Sequence, residues 1–150
     1  MPIHHFSPTH YHNTLGSHPP VLEVASGDTI LTSTVDARGH NAEGVQITPP
    51  GNPMVGPFAV TGAEPGDTLV LEILSLVPAG GSGWSSSTLA HNTLDPESLE
   101  PLAPELARWH LDAENGLAML QHPQGKLGKL TLDLAPMLGC LGVAPPRGQA

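Results

Sequence analysis

One stretch constrains the fold more than any other: Gly56-Pro-Phe-Ala-Val-Thr-Gly-Ala-Glu-Pro-Gly-Asp-Thr-Leu-Val-Leu-Glu-Ile73. Between Gly62 and Asp67 it supplies two glycines, a proline and two carboxylates, a composition suited to a turn with positive-φ positions. Leu69, Leu71 and Ile73 then alternate with Val70 and Glu72, the period of a strand with one wet face. The reading is a strand over 57–61, an acidic turn, and a second strand over 68–76.

The same grammar occurs earlier. Val21, Leu22 and Val24 lead into the turn Ala25-Ser-Gly-Asp28, and the β-branched run Thr29 to Val35 reads as a strand. Ser26-Gly-Asp-Thr-Ile-Leu and Pro65-Gly-Asp-Thr-Leu-Val therefore share a Gly-Asp-Thr turn feeding an apolar strand. Either hairpin geometry is repeated, or good turn chemistry is used twice. Short strands are also expected at 109–111, 117–120 and 127–132, with one short helix at about 102–108. Residues 80–87, Gly-Gly-Ser-Gly-Trp-Ser-Ser-Ser, read as a flexible hydroxyl-rich loop. With 17 Gly and 17 Pro in 150 residues, long helices are disfavoured. The expected fold is mainly β, with sandwich- or barrel-like layered sheets. A polar, His-rich arm over residues 1–19 precedes the β-rich region 20–150.

Fourteen acidic against five basic residues give a formal net charge of −9, which repels phosphate backbones and argues against nucleic acid as a partner. No apolar run is long enough to span a bilayer, and Met1-Pro-Ile-His-His5 lacks the character of a signal peptide. The single cysteine, Cys140, cannot close an internal disulfide. A cytoplasmic protein without a membrane partner is the expectation.

Several blocks in order carry a resemblance. They are His10 to Thr29, with its His-Asn arm before Pro-Pro-Val-Leu; Val35-Asp-Ala37; Asn52-Pro-Met-Val-Gly-Pro57; Gly62 to Asp67; Gly83-Trp-Ser85; and Leu138-Gly-Cys-Leu-Gly-Val-Ala-Pro145. Over about residues 10–147 the chain resembles the acetamidase/formamidase family. The resemblance implies a β-rich, oligomeric hydrolase of the carbon–nitrogen bond in short linear amides such as formamide or acetamide, releasing ammonia. Family members are about twice as long, and the Gly-Gly-Asn-Met-Asp-like segment that follows their Gly-Val-Ala-Pro block does not occur here. The chain is thus expected to be truncated, the N-terminal half of a larger β-rich fold. Its expected partners are a small amide substrate and either further copies of itself or a complementary C-terminal half. The alternative is a non-catalytic β-rich module that binds a ligand or partner.

Amide hydrolysis needs an activated water or nucleophile, a stabilised oxyanion and a proton for the leaving ammonia. A divalent metal ion can supply the first two. The sequence holds no His-x-x-x-His or Cys-x-x-Cys motif, so any metal site must be assembled from scattered residues. Asp36, ending a strand before the long Gly/Pro loop 37–57, is the first candidate: it either binds metal, orients water or holds an amide nitrogen, or it closes an Asx turn. His12, beside Asn13 in a matching block, is either a metal ligand or general acid/base, or part of a solvated arm. Gln46 is a candidate amide-binding residue, because the family carries a similar Gln-Ile-Thr. Trp84 either walls a substrate pocket or anchors its loop. Cys140, a thiol among Leu138, Leu141 and Val143, reads as a small buried hydrophobe sooner than a nucleophile. His91, near the serines at 85–87, is a weaker candidate for a Ser/His pairing.

Overall fold

A computed structural model describes residues 1–86, 95, 106–123 and 127–145. The protein is mainly β, and among the described residues no sheet closes into a barrel. It divides into two compact units, one of residues 1–79 and 137–150, the other of residues 80–136. No helix among the described residues is long and apolar enough to cross a membrane.

The first unit is built on two parallel strand pairs. β1 (Ile3–Phe6) lies beside β3 (Thr29–Thr32), and β2 (Leu22–Val24) beside β4 (Phe58–Val60). Two-stranded sheets are marginal by themselves. A T-shaped contact between Phe6 and Phe58, with ring centroids 5.4 Å apart, joins one pair to the other. These are the only two phenylalanines in the chain. Val24 on β2, at 8% exposure, is buried, as is Pro53 in the loop before β4. His4 on β1 contributes a polar tie: its Nε2 lies 2.8 Å from Asp28 Oδ2. The same carboxylate accepts the Ala25 N–H, and these contacts hold Asp28 below the usual aspartate pKa, the backbone bond contributing most.

Both Gly-Asp-Thr turns take the same form. In the first, the Asp28 N–H donates to the Ala25 carbonyl at 3.1 Å while the Asp28 carboxylate accepts the Ala25 N–H at 3.0 Å. In the second, Asp67 and Glu64 repeat the exchange at 3.1 and 2.8 Å. Gly27 and Gly66 occupy the third position with φ of 90° and 104°, conformations that disfavour a Cβ. Their exits differ. Thr29–Thr32 pairs with β1, but residues 68–76, expected as a strand, join no sheet. A strand needs a neighbour as well as a period, and β4 is taken by β2 instead of by 68–76.

The second unit is an antiparallel meander of β5 (Ser82–Ser86), β6 (Leu106–Asp112), β7 (Leu117–Leu120) and β8 (Thr131–Asp133). Residues 82–86 are therefore strand, not flexible loop, paired to β6 and tied further by the Trp109 indole N–H donating to Ser85 Oγ at 3.0 Å. Asp112 closes the β6–β7 turn by accepting from the Asn115 amide and side chain, which lowers its pKa. Leu106 to Arg108, expected to end a short helix, open β6. Residues 102–105 of that helix lie outside the described residues, as does His91.

The aromatic contact should be measurable. Exchanging Phe6 and Phe58 for Leu singly and together is expected to reveal a coupling of about 0.5–1.5 kcal/mol in a denaturant double-mutant cycle. Strict additivity would show that the two strand pairs are not held through these rings.

Candidate functional site

Asp36 stands two turns of chemistry away from a simple loop residue. Its Oδ1 accepts the Arg38 N–H at 2.9 Å and the His40 N–H at 2.8 Å, and lies 3.2 Å from His40 Nδ1. Its own N–H donates to the His40 carbonyl at 3.0 Å, and Gly39 N–H returns to the Asp36 carbonyl at 2.9 Å. The carboxylate thus closes a tight turn, as an Asx residue does, and also orients an imidazole. Both side chains are about one-third exposed, so the pair meets solvent. Gly39 permits the turn: φ is 83°, and a Cβ there would overlap the Thr48 carbonyl.

The loop after the turn folds back on it. His40 bridges Gln46, and Ile47 N–H donates to the Gly39 carbonyl at 2.9 Å. Asn41 makes the tip, its side-chain oxygen accepting the Val45 N–H at 2.9 Å. Gln46 Nε2 donates to the Arg38 carbonyl at 3.1 Å, which places the carboxamide over the Asp36–His40 turn. Farther along, the N–H groups of Gly51 and Asn52 both reach the Ala37 carbonyl at 3.1 Å. Sixteen residues of Gly/Pro-rich chain are fastened to the peptide after Asp36.

The N-terminal arm zips onto the far end of this loop. His12 and Met54 exchange backbone hydrogen bonds of 3.1 and 2.8 Å, and Asn13 Nδ2 donates to the Pro50 carbonyl at 3.0 Å. The His12 ring stacks on His18, with centroids 3.7 Å apart and planes 9° from parallel, and Thr14 Oγ1 lies 3.0 Å from His18 Nε2. Desolvation first, then the neighbouring His18 and His10, push the His12 pKa down from 6.5. His12 is therefore neutral at pH 7, a proton acceptor and potential metal ligand. Beside it, Asn13, Leu15, Asn52, Met54, Cys140 and Leu141 line an open groove of about 440 Å³. Cys140, expected to be buried, is exposed there because no apolar layer covers residues 138–143.

Asp36, His12 and Gln46 thus belong to one hydrogen-bonded loop system in the first unit, whereas Trp84 stands on β5 of the second, opposite Arg108. Sequence reasoning passed over His40. Its signal was the Asp36-x-x-x-His40 spacing across a glycine, which becomes visible once Asp36 is taken as a turn-former. Among the described residues, no three His, Cys, Asp or Glu side chains are grouped to hold a metal ion.

The family model described as the Acetamidase/Formamidase family matches residues 7–148, and the chain belongs to that family. Neither the curated proteins nor the solved structures returned a match.

Two outcomes check this geometry. Gly39→Ala should force the Thr48 carbonyl away and speed amide hydrogen exchange at Ile47 and Gly51 at least tenfold; unchanged protection would refute the loop closure. His12 should titrate below 6.5 by NMR. Because the folded chain resists that proton more than the unfolded one, stability should fall as pH drops from 6.5 through the lowered His12 pKa. Replacing His18 by Phe keeps a stacking ring and should move the His12 midpoint upward.

Proposed function

We propose that the chain hydrolyses the carbon–nitrogen bond of short linear amides, formamide and acetamide being the simplest. The observation that carries the reading is the family match across residues 7–148. The Asp36–His40 pair supports it chemically. With Nδ1 held toward Asp36, His40 keeps Nε2 as the basic nitrogen. It takes a proton from water as the water oxygen attacks the amide carbon. The tetrahedral intermediate then collapses, the C–N bond breaks, and the proton passes to the departing nitrogen, leaving carboxylic acid and ammonia. Asp36 positions the ring and stabilises its protonated form. Gln46, with its amide nitrogen engaged by the Arg38 carbonyl, offers its oxygen to the substrate N–H groups. His12 serves as a second proton acceptor or, with Asp36, as part of a divalent metal site whose remaining ligands come from elsewhere. We place the reaction in the cytoplasm, where a free, exposed thiol such as Cys140 stays reduced.

A second reading is favoured by one specific observation. Apart from glycines, only Val24 and Pro53 are buried among the described residues, while Leu69, Leu71, Leu74 and Val77 are all exposed. A β module of this kind needs covering, either by a complementary C-terminal half that completes the catalytic site or by another partner of a non-catalytic binding module.

Ammonia release from formamide and acetamide by the purified chain separates these readings. Activity should be present, His40→Asn should lower kcat on the order of 10²–10⁴-fold, and Gln46→Leu should act mainly on KM. A folded chain that releases no ammonia, by itself or with a family C-terminal half added, would leave only the binding module.

A further inference from the structure

The turn between β6 and β7, Asp112-Ala-Glu-Asn-Gly116, holds the one Asn-Gly pair of the chain; the other asparagines precede Thr14, Ala42, Pro53 and Thr93. An asparagine loses its side-chain ammonia without an enzyme when the next backbone nitrogen attacks its Cγ, and a Cβ on that next residue obstructs the approach. Gly116 removes the obstruction. Its φ is 67°, and a Cβ there would meet no described atom within 4 Å, so the turn around it is open. Asn115 itself is exposed. The same turn also restrains the reaction. Asp112 Oδ1 accepts the Asn115 N–H at 3.0 Å, and Oδ2 accepts its Nδ2 at 2.7 Å. The carboxamide is thus held back toward residue 112, whereas ring closure requires Cγ to turn forward onto the Gly116 nitrogen. These bonds, the side-chain one first, hold Asp112 below the usual aspartate pKa, so the restraint is in place at neutral pH.

We propose that Asn115 is a self-modification site, deamidating to aspartyl and isoaspartyl forms at a rate restrained by its hydrogen bonds to Asp112. The Gly116 nitrogen gives its proton to solvent and bonds to Asn115 Cγ. The Cγ–Nδ2 bond breaks, and ammonia leaves with a proton taken from solvent. The succinimide so formed takes up one water. Opening at Cγ leaves an aspartate with the original backbone. Opening at the residue 115 backbone carbonyl leaves an isoaspartate, in which the main chain runs through the former side chain.

Both products undo the turn that made them. An aspartyl group puts a carboxylate where Nδ2 now donates to Asp112, setting two like charges at hydrogen-bond distance. The isoaspartyl form adds an atom to the main chain between Asp112 and Leu117, which face each other at the end of the β6–β7 ladder. Hairpin register depends on loop length, so the ladder loosens from that end. β7 also pairs with β8, and the Leu134 N–H donates to the Gly116 carbonyl at 2.8 Å, so the change reaches both sides of β7. The proposal is independent of amide hydrolysis at the Asp36–His40 turn. It releases a single ammonia per chain, a stoichiometric quantity distinct from turnover of an added amide.

Peptide mapping of the full chain after days at mildly alkaline pH tests it. The mass gain of an NH2 replaced by OH should accumulate at Asn115 ahead of every other asparagine, and part of the product should be a substrate for an isoaspartyl methyltransferase. Gly116→Ala should slow the reaction roughly tenfold, since a Cβ then stands beside the attacking nitrogen. Asp112→Ala should speed it by freeing the carboxamide. The restraint is also read without any variant: the wild-type chain unfolded in urea, where the bonds to Asp112 are gone, should deamidate faster than the folded chain. Asn115→Asp, which installs one product directly, should speed amide hydrogen exchange at Leu117 and Met119. An Asn115 that stays intact while another asparagine reacts overturns the proposal, as does a rate that Gly116→Ala leaves unchanged. A folded chain that reacts as fast as the unfolded one overturns the restraint by Asp112.

Discussion

Two parallel strand pairs carry the first unit, and neither has the means to persist by itself. Parallel ladders are slightly weaker per residue than antiparallel ones, and a two-stranded sheet lacks a second layer. The edge-to-face contact between Phe6 and Phe58 supplies the missing cross-connection, since Phe6 ends β1 and Phe58 begins β4. Everything that positions the candidate site hangs from this arrangement. β3 ends four residues before Asp36, β4 begins four residues after Met54, and the loop between them is stretched from one pair to the other.

The loop in turn shows how one carboxylate can close a turn and face an imidazole at once. Asp36 Oδ1 receives two backbone N–H groups and faces the His40 ring. The backbone donors fix the carboxylate, and a fixed carboxylate fixes the imidazole. A side chain held only by water would have to be ordered when substrate arrives; here the ordering is done during folding. At Asp36, closing an Asx turn and facing an imidazole are therefore compatible.

Local chemistry was legible and pairing was not. Both Gly-Asp-Thr turns follow from short-range rules, glycine accepting positive φ and aspartate accepting a nearby N–H, so their geometry could be read from four residues at a time. The partners of the strands lie far apart in sequence: β1 meets β3 across more than twenty residues, and β4 meets β2 across more than thirty. Nothing in a strand's own alternation names its neighbour, which is why 68–76 has the pattern without the ladder. Ser82 to Ser86 shows the converse, since a hydroxyl- and glycine-rich stretch becomes strand through pairing with β6. In the candidate site, Asp36 stood out because it follows a β-branched run. His40 hid among nine histidines, and its pairing with Asp36 depends on the bend that Gly39 allows.

The histidines then divide by what they face, not by where they fall in sequence. His4 and His40 each meet an aspartate, whereas His12 meets another imidazole. At His12, desolvation first and then the neighbouring His18 and His10 disfavour the protonated ring. Amide hydrolysis needs a proton accepted from water and later delivered to nitrogen, so the group that performs both steps must tolerate the charged state in between. In the proposed reaction that requirement suits a ring that faces a carboxylate, as His40 faces Asp36 at 3.2 Å, better than one stacked on a second imidazole.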